Sequence, residues 1–294
     1  MIALTQWILS GLLLGLLYSV IAQGLVIVWR AGRIINLATG ELIVVGGFLI
    51  YTFVNKLALP MALGIVIALA LMAVLGVIIE RGVFKPIIGQ PMFALLMMTV
   101  ALIFILRGLT IAIFGPEPQP FPAIFGMEHI FLGPFSFNPS LLWGGFICLA
   151  LTFGLVWFFE RTRWGLKLST VAEDQVVAQS MGISVDMAIS IAWIMVGLLA
   201  VFASTVFLNA KSVTHLASEI GFRGLPVALL GGIESVRGAL IGGLIVGVAE
   251  MLARGYLDPI TAGGSSAILP YVIMILVIIV RPQGLYGWRI IERV

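Results

Sequence analysis

Apolar runs as long as a bilayer is thick recur throughout this chain, and they constrain its fold more than any other feature. They lie near residues 7–28, 60–79, 92–114, 139–159, 188–208 and 238–253, with a shorter one near 266–280, each bounded by polar residues, Gly or Pro. A helix needs about 20 such residues to cross roughly 30 Å of hydrocarbon, where only helices and closed barrels satisfy every backbone polar group. A barrel would show alternating segments of about ten residues, which these runs do not. The expected fold is all-α, a polytopic membrane helix bundle of about eight transmembrane helices in a single domain, 1–294. Composition agrees, because 61% hydrophobic and 10% charged residues leave too little charge to clothe a water-soluble surface.

Two further apolar pieces, about 40–54 and 222–233, are too short or too interrupted for regular spans and predict a broken helix in each half. The first run exceeds the roughly 7 to 15 residues of a signal-peptide core and has no basic residue before it, so a retained span is expected. If both short pieces complete a crossing, the chain makes nine passes. With the C-terminus inside, the inner loops hold Arg30, Arg33, Arg81, Lys85, Arg161, Arg163, Lys167, Arg237, Arg281, Arg289 and Arg293, while the outer ones hold only Lys56, Lys211 and Arg254. This asymmetry predicts N-out, C-in. The net charge of +3 therefore reports membrane orientation, and no nucleic-acid partner is implied. The prolines of the external segment 115–138 forbid a continuous helix there. Cys148, the single cysteine, has no intrachain disulfide partner.

One inward loop stands out as polar. In AEDQVVAQSMGISV, Ala172–Val185, Thr170 and Glu173 form a possible capping box, and Glu173 and Asp174 place negative charge where a helix dipole favours it. Gly182 stands where a left-handed C-terminal cap is needed. A helix of about three turns would carry Val171, Val177, Ala178 and Met181 on one side, a face able to dock in a groove. The chemistry of catalysis is missing: no Gly-Lys dipeptide, hence no phosphate-binding loop, no HExxH and no Cys/His cluster with zinc spacing. His129 and His215 read as loop or interface residues. No enzyme, no metal and no cofactor bound by this chain are expected.

The stretch RWGLKLSTVAEDQVVAQSMGISVDMAIS, within a loop at about 160–187, resembles the coupling loop of membrane subunits of ATP-binding-cassette (ABC) importers. Together with INLATGEL, ALLGGIESVRGALIGGLIVGVAE and VRPQGLYG, in that order, the sequence resembles the permease family of branched-chain amino-acid ABC importers across nearly its whole length. That family usually has His where Thr39 stands. The resemblance implies a type II ABC-importer-like fold in the bacterial inner membrane. It also implies a homologous second permease subunit forming a heterodimer, two ATPase subunits carrying ATP and Mg, and a periplasmic or extracellular substrate-binding protein. Thr170, Glu173, Asp174, Val177, Ala178, Met181 and Gly182 would couple to the ATPases. Branched-chain amino acids are the implied cargo, with urea, short amides and aromatic acids as alternatives; a self-sufficient channel or secondary transporter is the rival reading.

Paired glycine-broken helices are the best sequence pointer to a transport path. Asn36, Thr39, Gly40 and Glu41 gather acceptors and exposed backbone where the first short helix should begin, and Gly231 and Gly232 should end the second. A zwitterion suits such a mixed terminus, and Glu41 is expected either to cap its helix, to pair with an Arg, or to meet the substrate. Glu219 and Arg223, spaced i,i+4, are expected to form a structural ion pair, with Arg107 and Glu250 as pairing or interface residues. Gly11 with Gly15, Gly238 with Gly242, and Gly243 with Gly247 are small-xxx-small spacings that predict close helix contacts.

Overall fold

A computed structural model describes residues 2–87, 89–261 and 263–287. The helices are α1 (Ile2–Gly32), α2 (Thr39–Tyr51), α3 (Met61–Ile79), α4 (Met92–Phe114), α5 (Pro139–Arg161), α6 (Arg163–Glu173), α7 (Gln175–Ser180), α8 (Val185–Phe207), α9 (Ile220–Gly231), α10 (Val236–Tyr256) and α11 (Ser265–Val280). Six of them, α1, α3 with its extension, α4, α5, α8 and α10, are long and apolar enough to cross a membrane, and α11 is a shorter apolar helix. The protein is an all-α polytopic membrane helix bundle. Arg289 and Arg293, two of the bases used to orient the chain, lie outside the described residues.

The two short apolar pieces are α-helices of 13 and 12 residues, α2 and α9; α2 runs on into a π-helical turn (Thr52–Lys56), and neither is among the helices long and apolar enough to cross. Their sequences explain the brevity. A connector containing Asn36 precedes α2, and α9 ends at Gly231, followed by Gly232 at φ +103, a conformation that only glycine adopts without strain. The segment 115–138 contains no helix; it forms β1 (Gln119–Pro120), β2 (Ile130–Leu132) and β3 (Phe135–Phe137), with β2 pairing antiparallel to β3 and β1 to β4 (Ser212–Val213).

The chain divides into two compact units. The first comprises Met1–Val26, Glu128–Val156 and Arg223–Val294. Within it, glycines set the spacing of α1 and α10: a Cβ on Gly15 would lie 2.5 Å from the Gly243 carbonyl oxygen, and one on Gly247 2.3 Å from the Gly15 nitrogen. A Cβ on Gly231 would lie 2.2 Å from the oxygen of Gly238, so α9 and α10 meet backbone to backbone as well. All three small-xxx-small pairs thus lie at helix contacts. Buried Gln23 and Thr152 hydrogen-bond across α1 and α5 at 2.9 Å, satisfying polar groups that lipid would leave stranded.

The second unit comprises Ile27–Met127 and Trp157–Phe222. Its centre is α8, against which α2 and α3 pack: Gly76 of α3 abuts the Trp193 carbonyl, and Gly197 of α8 abuts that of Met72. Glu80, in a π-helical turn (Glu80–Phe84) that extends α3, is buried and accepts a 2.7 Å hydrogen bond from Ser190 of α8. Phe84 of the same turn stacks on Trp193.

Candidate transport and coupling sites

The α2 terminus is built from the connector 33–38. Asn36, fully buried, turns the chain by accepting from the Ala38 amide through Oδ1 at 3.1 Å, while the Thr39 hydroxyl donates back to the Asn36 carbonyl at 2.9 Å. Glu41 lies in the first turn of α2, 2% exposed. Arg107 of α4 donates to its Oε1 from Nε at 3.0 Å and Nη2 at 2.6 Å, and Nη2 also donates to Ser218 Oγ at 2.9 Å. The pairing with an arginine expected as one role of Glu41 is thus present. Its second oxygen, Oε2, and the Asn36 Nδ2 are buried without a partner among the described residues. A donor and an acceptor left unsatisfied in one short segment are uncommon, because each costs about 1–3 kcal/mol.

The expectation of exposed backbone at this terminus needs correction. A Cβ on Gly40 would lie 1.9 Å from the Ser218 oxygen, and one on Gly221 2.3 Å from the Gly40 nitrogen. The 3-10 turn His215–Glu219 and the first residues of α9 therefore cover the start of α2. His215 is fixed there, its Nε2 3.1 Å from the Gly115 carbonyl and its ring 5.4 Å from that of Phe48.

The Glu219–Arg223 pair is a second correction. Arg223 donates from Nη1 to Glu250 Oε2 at 2.9 Å, and Glu219 belongs to the 3-10 turn that precedes α9, so the helical i,i+4 geometry does not join them. Buried Glu250 is fully engaged, because its Oε1 accepts from Arg254 Nη2 at 3.1 Å and from the Tyr18 hydroxyl at 3.2 Å. Gly231 and Gly232 sit at the α9 break. Their partners are Gly238 and the terminal motif, with the Leu285 and Tyr286 amides donating to the carbonyls of Leu230 and Gly231 at 2.9 Å.

The polar loop is helical, yet it is broken at Asp174. Helix α6 ends at Glu173; Asp174, with extended backbone, caps α7 through Oδ1 from the amides of Val176 (2.7 Å) and Val177 (3.1 Å). The expected Thr170–Glu173 capping box does not form: Thr170 lies inside α6 with its hydroxyl on the Leu166 carbonyl, and Asp174 supplies the cap instead. Helix α7 is accordingly shorter than the expected three turns. Gly182 has φ +76 and receives the left-handed end of α7, as its position foretold. Ala178 is buried, whereas Val176, Val177 and Met181 are 75%, 48% and 68% exposed. Sequence reasoning missed Arg30, Arg33, Tyr18 and Ser218, whose partners lie more than 100 residues away and leave no local signal.

A family model described as "Branched-chain amino acid transport system / permease component" matches residues 7–280. The chain belongs to that family. Among its relatives is the high-affinity branched-chain amino acid transport system permease protein LivH of Salmonella typhimurium, 26% identical with 98% of this chain and 97% of that protein covered. Its counterpart BraD of Pseudomonas aeruginosa is 25% identical with the same coverage. A solved structure of PsaBC from Streptococcus pneumoniae in complex with Fab overlaps 95% of this chain and 94% of its own at a TM-score of 0.47 and 16% identity. The family is one of transport permeases, so the geometry above belongs to a multi-pass membrane transport subunit. Among the described residues, no three His, Cys, Asp or Glu side chains converge as a metal site.

Proposed function

We propose that this permease is the membrane subunit of an ABC importer for branched-chain amino acids in a bacterial inner membrane, with its N-terminus outside and C-terminus inside. It works with a homologous second permease subunit, two ATPase subunits that bind ATP and Mg, and an external substrate-binding protein. The observation that carries the reading is α7. Its two capped ends fix a short helix that presents Val176, Val177 and Met181 away from the rest of its unit, beside the polar residues Asp174 and Gln179. An apolar face this exposed on a rigid, polar-flanked helix fits a partner protein. Thr170, Glu173, Asp174, Val177, Ala178, Met181 and Gly182 form or frame that contact.

Asn36, Thr39, Gly40 and Glu41 line the candidate substrate path, with Gly231 and Gly232 as the corresponding break in the other half. The unpartnered Glu41 Oε2 suits an ammonium and the Asn36 Nδ2 a carboxylate, which favours an amino acid over urea or a neutral amide. Cargo reaches these atoms once residues 215–221 part from Gly40, which conformational alternation supplies.

The test is co-purification of tagged ATPase and binding protein with the permease, followed by labelled-leucine uptake in proteoliposomes. The complete complex should transport with ATP, and the permease alone should be idle. Asp174→Ala should lower both ATPase stimulation and uptake while membrane insertion stays normal. Flux through the isolated chain without ATP would instead establish the channel or secondary-transporter reading.

A further inference from the structure

The second unit joins the α6–α7 segment to the start of α2 by a route that does not follow the chain. At the end of α1, Arg30 donates from Nη2 to Ser169 Oγ of α6, and its guanidinium lies 4.6 Å over the Phe159 ring. One turn later, Arg33 donates from Nε to the Ala172 carbonyl at 3.0 Å. Ala172 sits in the last turn of α6, where carbonyls lack intrahelical donors and the dipole favours a cation. Arg30 and Arg33 are three residues apart, as are Ser169 and Ala172, so two contacts join one face of α6 to the end of α1. One contact would act as a pivot; two fix orientation as well as position.

Beyond Gly32 the chain has only residues 33–38 before α2 begins at Thr39. Arg33 has φ +55, a conformation rare for an L side chain, and it is held there while its own side chain grips α6. Ile34, Asn36 and Ala38 are all buried, with Asn36 bonded to the Ala38 amide and the Thr39 hydroxyl. Only residues 33–38, with Ile34, Asn36 and Ala38 buried, lie between the Ala172 contact and the first turn of α2, which carries Glu41. We infer that Arg30 and Arg33 form a clamp that transmits movement of the α6–α7 segment to the start of α2, and are positioning residues for the transport step. The inference rests on the coupling role proposed above for α7.

The experiment uses the complete complex in proteoliposomes, recording leucine taken up per ATP hydrolysed. Arg33→Ala should leave ATPase subunits bound and hydrolysing, yet lower uptake per ATP by at least about 5-fold, the lower end of typical coupling effects. Arg30→Ala with Arg33→Ala should lower it further, and Arg33→Lys should recover part of it. An unchanged ratio in the double variant overturns the clamp. Because that variant could insert poorly, a paired measurement uses Arg33→Cys with Ala172→Cys in a Cys148→Ser background. Bridging the two thiols with a bifunctional reagent should restore the ratio in the same preparation, and no recovery on bridging overturns the clamp. A wild-type chain that draws no ATPase would sink the importer reading and the clamp with it. A chain that responds to Asp174→Ala but not to the arginine variants would sink the clamp alone.

Discussion

Two of the buried carboxylates, Glu250 in the first unit and Glu41 in the second, have opposite circumstances. Glu250 shares its two oxygens among Arg223, Arg254 and Tyr18, while Glu41 gives one oxygen to Arg107 and leaves the other unpartnered. A charge in lipid is costly unless matched, so the first arrangement reads as a joint and the second as a group with capacity to spare. Redundancy at Glu250 lets one partner leave without stranding the anion. No such reserve exists at Glu41.

Removing single partners tests that contrast. Arg107→Ala should have the largest effect, about 3–5 kcal/mol of lost stability, because Glu41 is left as an uncompensated buried charge; detergent-solubilised protein should show a lower thermal midpoint, and the additional variant Glu41→Gln should return part of it. Arg223→Ala should cost less, about 1.5–3 kcal/mol, since Arg254 and Tyr18 still hold Glu250. Equal losses for the two arginine variants would erase the distinction between joint and spare capacity. Tyr18→Phe removes one neutral donor and should cost about 1 kcal/mol by the same measurement.

The smallest effect belongs to a third carboxylate, Asp258, in the turn before α11. It accepts from the Ser265 and Ser266 hydroxyls and the Ser266 amide, and these hydrogen bonds, the Ser266 hydroxyl foremost, hold its carboxyl at about 2. A depressed folded value means that the cap contributes above the unfolded carboxylate range near 3.9 and is lost as pH falls through about 2. The thermal midpoints of wild type and Asp258→Asn should therefore differ slightly above pH 4 and converge below about pH 2.

Period and length made much of the fold legible. The long spans fall within a few residues of their apolar runs, because a helix in lipid must be continuous and oily. The spacings of Gly11 with Gly15 and of Gly243 with Gly247 announced close helix contacts, since only a missing Cβ permits such approach, but not that these two pairs would meet each other. Pairings across the fold were hidden. Glu41 and Arg107 are 66 residues apart and Tyr18 and Glu250 232 apart, whereas a sequence suggests ion pairs only at helical spacing; that local bias produced the Glu219–Arg223 expectation. The break at Asp174 was obscured for a related reason. Two overlapping cap patterns compete there, Thr170 with Glu173 and Asp174 alone, and the extended backbone of Asp174 decides for the second.

Cys148, 1% exposed within α5, has a practical consequence. Water-soluble maleimides cannot reach a sulfhydryl enclosed in this way, so the wild-type protein already serves as a silent background for fluorophores or spin labels. A probe attached at Met181 would then report alone on whatever touches α7 during turnover.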